Sequence, residues 1–88
     1  MTISSAQEQY LHLVRLAWDL RRLGMGVRIE LPASEEPYVA VLRESGALRV
    51  LALARGKKWV FMWGRGRSQW IAALDEDAVR HIHEAATR

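Results

Sequence analysis

The residues best suited to chemistry fall in one short stretch, Trp63-Gly64-Arg65-Gly66-Arg67-Ser68-Gln69-Trp70. Glycines let a backbone approach a ligand closely, guanidinium groups grip phosphate or carboxylate, and indole rings offer stacking surface. Arg55, Lys57 and Lys58 supply a second basic tip. Together Arg55, Lys57, Lys58, Arg65 and Arg67 form a candidate anion or nucleic-acid set. The two tips belong at opposite ends of one strand, about 15–20 Å apart at 3.3 Å per residue. That spacing suits an extended track and not a single phosphate. The plainer account of the same residues is a glycine turn among solubilising arginines, with the tryptophans in the core. The aromatic motifs of RNA-recognition sheets are absent.

Other chemistry finds little footing. His81 and His83 stand two apart on a predicted helix, roughly 200° round it, so they cannot chelate one ion from a single face. His12 belongs to a solvated polar arc near Glu8 and Arg15. Asp75-Glu76-Asp77 is explained by a helix cap. There is no nucleophile motif, phosphate-binding loop or carboxylate pair. The expectation is a binding protein without catalytic residues, metal or cofactor.

The chain that must position these residues has 88 residues, enough for one domain. Folding at this length removes only about 60–65% of the unfolded surface. With no cysteine, neither a disulfide nor a thiolate metal site braces the core. Small domains of this kind often gain stability by self-association. No apolar stretch approaches a membrane span. Met1-Thr2-Ile3-Ser4-Ser5 lacks the basic start and apolar run of a signal peptide, which predicts a cytoplasmic protein. The net charge is +3, and eleven arginines against two lysines reflect a GC-rich coding bias more than a ligand. Residues 1–44 carry a net −1 and residues 45–88 a net +4, an asymmetry that hints at a nucleic-acid or acidic-partner surface.

The elements follow from periodicity. A helix is predicted over 5–23, opened by the capping box Ser5-Ala6-Gln7-Glu8 and closed by Gly24 and Gly26. Its apolar arc spans roughly 240°, wider than one contact layer requires. Strands are predicted over 27–31, 38–43, 48–55, 58–63 and 68–73, with Gly56-Lys57 as a two-residue type II′ hairpin. A last helix is predicted over 75–87, capped by Asp75 and stapled by Leu74 against Val79. The fold class is therefore α+β: a five-stranded antiparallel meander with N- and C-terminal helices.

Turn positions give a register. A Gly56-Lys57 tip sets Ala54 opposite Trp59, Ala52 opposite Phe61 and Val50 opposite Trp63. A Ser45-Gly46 tip adds Val39 and Val41 to that face, and Phe61 is expected to pair with Trp70. The other face then holds Tyr38, Ala40, Leu42, Leu51, Leu53, Val60, Met62 and Ile71. Both faces are apolar, whereas antiparallel sheets normally solvate one. Two helices on one side would leave the other open to association. The leading expectation is a homodimeric interaction or adaptor module, using Trp18, Trp59, Phe61, Trp63 and Trp70 as its surface. Nucleic-acid binding through the basic tips is the alternative.

Trp59-Val60-Phe61-Met62-Trp63-Gly64, followed by a basic turn, a short strand and Leu74-Asp75-Glu76-Asp77-Ala78 opening a helix, resembles a class of small actinobacterial proteins. In those, a Leu-rich first helix, a strand meander and a W-x-[FY]-x-W-G signature recur. The resemblance implies a fold and a compartment and carries over no functional residue.

Overall fold

The computed structural model describes residues 5–87. Helix α1 (Ser5–Arg22) leads into strands β1 (Val27–Glu30), β2 (Tyr38–Val41), β3 (Leu48–Arg55) and β4 (Lys58–Trp63). A short 3-10 turn (Arg65–Arg67), strand β5 (Gln69–Ala72) and helix α2 (Ala78–Thr87) complete it. The strands form one antiparallel sheet in the order β1-β2-β3-β4-β5, the predicted meander.

Local chemistry fixes the boundaries. α1 contains no proline or glycine, and it ends in a Schellman motif. Gly24 takes φ +85°, its N–H donates to Arg21 O at 2.9 Å, and Met25 N–H donates to Leu20 O at 3.1 Å. The helix already includes Ser5, so its N-cap lies outside the described residues, as do residues 1–4, which were read for a leader sequence. At the β3–β4 hairpin Gly56 has φ +62° and Lys57 does not cross to positive φ, as a II′ turn requires. α2 starts three residues later than predicted. Asp75 Oδ1 accepts from Asp77 N–H at 2.8 Å and so caps a turn ahead of the helix. Leu74 is 77% exposed and forms no staple with Val79.

One apolar layer holds the molecule together. Leu13, Leu16, Ala17 and Leu20 of α1 and Ala78, Ile82 and Ala86 of α2 pack on Val39, Val41, Leu48, Val50, Ala52, Phe61, Trp63 and Ile71. Every sheet residue in that set points to the same side, so both helices cover one face of the sheet. α1 spans β1, β2 and β3 and touches α2. Large-opposite-small pairing occurs where the hairpin register put it, with Ala52 facing Phe61 and Ala54 facing Trp59.

Two register predictions fail. β2 and β3 pair two residues away from a Ser45-Gly46 tip, with Val41 opposite Leu48, which keeps the faces; at β5 the faces change. Phe61 pairs with Ile71, and Trp70 pairs with Met62, so Trp70 and Ile71 exchange faces relative to the expected arrangement. Because side chains alternate with period two, a one-residue slip moves a whole strand to the opposite side. Here Ile71 is 9% exposed and belongs to the core, while Trp70 is 56% exposed.

Candidate functional site

The uncovered face is built from the alternate residues of the same strands. Across its middle run Glu30, Tyr38, Leu51, Met62 and Trp70, one from each strand. Leu53, Val60 and Ala72 form the next row, and Arg28, Ala40 and Arg49 lie on the other side. Arg55 and Lys58 close the β3–β4 hairpin. No helix lies over this floor, yet Ala40 and Val60 are buried, shaded by the longer side chains beside them. The arginine and lysine stems thus do part of the covering that a second layer would otherwise do.

Two of those arginines lie over aromatic rings. The Arg49 guanidinium carbon sits 4.9 Å from the Tyr38 ring centroid, and that of Arg55 sits 5.4 Å from the centroid of Trp70. Both separations fall within the range of a cation–π contact. Tyr38 and Trp70 are three strands apart, about 14 Å at the usual spacing. The face therefore presents two aromatic–cation pairs with leucine and methionine between them.

A trough of about 790 Å³ opens on this face. Tyr38, Arg49 and Leu51 contribute to its floor, with Gly64 and Arg67 on one side and Ser34, Glu35 and Glu36 of the β1–β2 connection on the other. Glu36 Oε2 accepts from Gln9 Nε2 at 2.7 Å, which ties that connection back to α1. The 64–67 turn is strained. Gly64 adopts φ 85°, ψ 175°, a region open essentially to glycine alone, and Arg67 holds a left-handed φ of 58°. Arg28 contacts Glu30 at 3.5 Å on the exposed β1 edge, a pair worth little in solvent. Glu35 and Glu36 make the trough's β1–β2 wall acidic, whereas Arg49 and Arg67 make its floor and far side basic.

The predicted site residues are divided by this arrangement. Arg55 and Lys58 stand on the open face and Arg67 at its rim. Lys57 instead lines a separate cleft beside α1, and Arg65 is exposed without entering the trough. Of the predicted interaction surface, Trp18 and Trp70 are exposed and Trp59 is half-buried. Phe61 and Trp63 are 4% and 7% exposed, packed beneath the helices, so they serve the core and cannot form a contact surface. Arg28 and Arg49 were not singled out in advance. Their signal was present: each interrupts an apolar alternation at an outward position, and both pair with Ala40, Arg28 across β1–β2 and Arg49 across β2–β3.

His12 also departs from expectation. It is half-buried against the sheet, its ring centroid 5.4 Å from that of Trp59 and 6.4 Å from that of Phe61. Burial lowers its pKa below the ordinary 6.5; the Glu8 carboxylate opposes that shift and the Arg15 guanidinium adds to it. Among the described residues no group of three His, Cys, Asp or Glu side chains is placed to hold a metal. No helix of the described residues is long and apolar enough to cross a membrane.

No family model matches the chain, and neither a curated protein nor a solved structure matches it. None of these comparisons bears on the resemblance to small actinobacterial proteins, and function has to be argued from the geometry of the chain itself.

Proposed function

We propose that the protein is a binding module whose uncovered sheet face takes single-stranded nucleic acid. The observation that carries this reading is the pairing of Arg49 with Tyr38 and of Arg55 with Trp70 on a face with no helix over it. Bases stack on aromatic and guanidinium planes, and the same guanidinium groups meet the phosphates. Lys58 and Arg67 extend the cationic surface to both ends of β4, along a strand whose length suits an extended backbone. A second copy of the chain is a poorer occupant of this face, because isologous contact would set Arg28, Arg49, Arg55 and Lys58 against their own equivalents.

Titrating fluorescently labelled oligothymidylate and following its anisotropy at low salt tests this. Binding should weaken with salt at a log–log slope of about −3, roughly 0.7 per phosphate for Arg49, Arg55, Lys58 and Arg67. Quenching of Trp70 should accompany it. Absence of binding at low salt, or binding indifferent to R49Q/R55Q, overturns the proposal.

A homodimeric interaction module is supported by a different observation. Tyr10, Val14 and Trp18 recur every fourth residue along the outer side of α1, and Trp18 is 64% exposed. Such a stripe fits against its own two-fold copy. Light scattering should then give a mass near twice 10.1 kDa that W18D returns to the monomer. A monomer at high concentration removes this second reading and leaves the first untouched.

A further inference from the structure

A second cleft, of about 660 Å³, lies on the opposite side of the molecule's edge from the trough, between the first half of α1, the β3–β4 hairpin and the link from β5 to α2. Its volume is that of a small-molecule site, typically about 300–1,000 Å³. Two rings, Trp59 and His12, meet there with their planes inclined at 40°. Leu11 and Leu74 stand at the mouth with nearly half and three-quarters of their surface in water, respectively. Large apolar side chains left open around a concave surface are a mark of a ligand site more than of a finished core.

Charge narrows the ligand. Arg15, Lys57 and Lys58 line the cleft with Glu8 and Asp75. Asp75 is already engaged with the Asp77 N–H, and Glu8 lies one helical turn before His12 on α1. Among the described residues, neither lysine nor Arg15 makes an ion pair within 4 Å. Three cations against two carboxylates leave the cleft net positive, with Trp59, Leu11 and Leu74 among its apolar lining.

We propose that this cleft binds a flat aromatic acid, its ring against Trp59 and His12 and its anionic group at Lys57 and Arg15. A neutral imidazole is the form suited to lie against such a ring, and burial favours that form of His12. The cleft borders the open sheet face at Lys58 and Ala72, but Arg15, Lys57, His12 and Trp59 belong to the cleft and not to that face.

Isotope-labelled protein titrated with naphthoate, and separately with uncharged naphthalenemethanol, tests the assignment by NMR. Naphthoate should shift the His12 ring and Trp59 indole signals in a saturable way while leaving Trp18 and Trp70 in place. Exposed Lys57 and Arg15 can be replaced without touching the core. R15Q and K57Q should each weaken naphthoate about two- to fivefold, the range of a solvent-exposed charge contact, and leave naphthalenemethanol unchanged. The proposal is overturned if the His12 and Trp59 signals do not move, if Trp70 reports the binding instead, or if both variants bind naphthoate as the parent does. R15Q, on α1, leaves the oligothymidylate surface intact, so that assay on the R15Q sample separates failure here from failure of the nucleic-acid reading.

Discussion

Both faces of the sheet carry large apolar residues, and the molecule treats them differently. Beneath the helices, Val50, Ala52, Phe61, Trp63 and Ile71 meet leucine and isoleucine from α1 and α2, and nothing charged enters. On the other side Leu51, Leu53, Met62 and Trp70 lie under no helix of the described residues, with Arg49, Arg55 and Lys58 on the same face. The first layer has helices over it; over the second, on the proposed reading, a ligand would take the place of the cationic side chains. Hydrophobicity by itself does not separate the two layers; the residues that interrupt it do.

The sharpest way to break this contrast is to truncate one large residue on each face of the same strand. Phe61→Ala should destabilise by about 3–5 kcal/mol, since it empties a packed site between Ala52 and Ile71. Met62→Ala, one residue along, should cost well under half as much, because its site is open on one side. Urea denaturation followed by circular dichroism measures both, and equal losses would mean that the second face is a core as well.

Next in size is a change that should spare stability and strike binding. Trp70→Ala removes a stacking platform worth about 1–3 kcal/mol per base, with little effect on unfolding because more than half of the ring is already in water. Anisotropy with oligothymidylate and thermal unfolding, run on one preparation, should separate the two quantities. A large drop in unfolding temperature would return Trp70 to the core and remove the platform.

The position of Trp70 also shows how far the sequence could be read. Alternation and turn chemistry were enough for all five strands, the β3–β4 register and the terminal helices, because Gly56-Lys57 admits few geometries and glycine closes α1. They failed at β5. Trp70 and Ile71 are adjacent and both apolar, and the strand's polar residue, Gln69, shares the side of Ile71, so alternation points the wrong way. The register is set instead by five intervening residues, 64–68, whose left-handed Gly66 and Arg67 no pattern announces. The site was legible to the same degree. Arg55 and Lys58 were found from the hairpin, whereas Arg28 and Arg49 needed the side of the sheet that the helices leave open. His12 sat on a polar arc in the helical wheel, but the long sheet reaches that arc at Trp59 and Phe61, and a wheel carries no information about where a helix stops being surface.

The turn that set the register can be tested at single positions. Gly64→Ala places a Cβ 3.3 Å from Gln69 Cγ at a φ of +85° and should cost about 1–3 kcal/mol. Gly66→Ala meets nothing within 4 Å and suffers only the left-handed φ, about 1 kcal/mol. Denaturant midpoints should fall in that order. If they are equal, the turn is not held by its close approach to Gln69. Because the trough is walled by Gly64 and Arg67, the former change should also reduce oligonucleotide affinity and the latter should not.

The smallest expected effect belongs to the covered side and comes from His12. Its folded pKa lies below the unfolded value of 6.5, chiefly because burial against Trp59 and Phe61 disfavours the charged ring. Between the two values the unfolded chain is protonated and the folded one is not, so the unfolded state binds more protons and stability rises with pH. Above 6.5 the His12 contribution is complete, and it is lost as pH falls from 6.5 through the folded pKa. His12→Gln keeps a polar side chain at the position, cannot titrate there, and should flatten that part of the stability–pH curve while His81 and His83 remain. Comparing unfolding free energies of parent and variant between mildly acidic and neutral pH isolates the difference. If the two curves run parallel, His12 is as well hydrated in the folded protein as in the unfolded chain, and the covered face does not extend to the rim of α1.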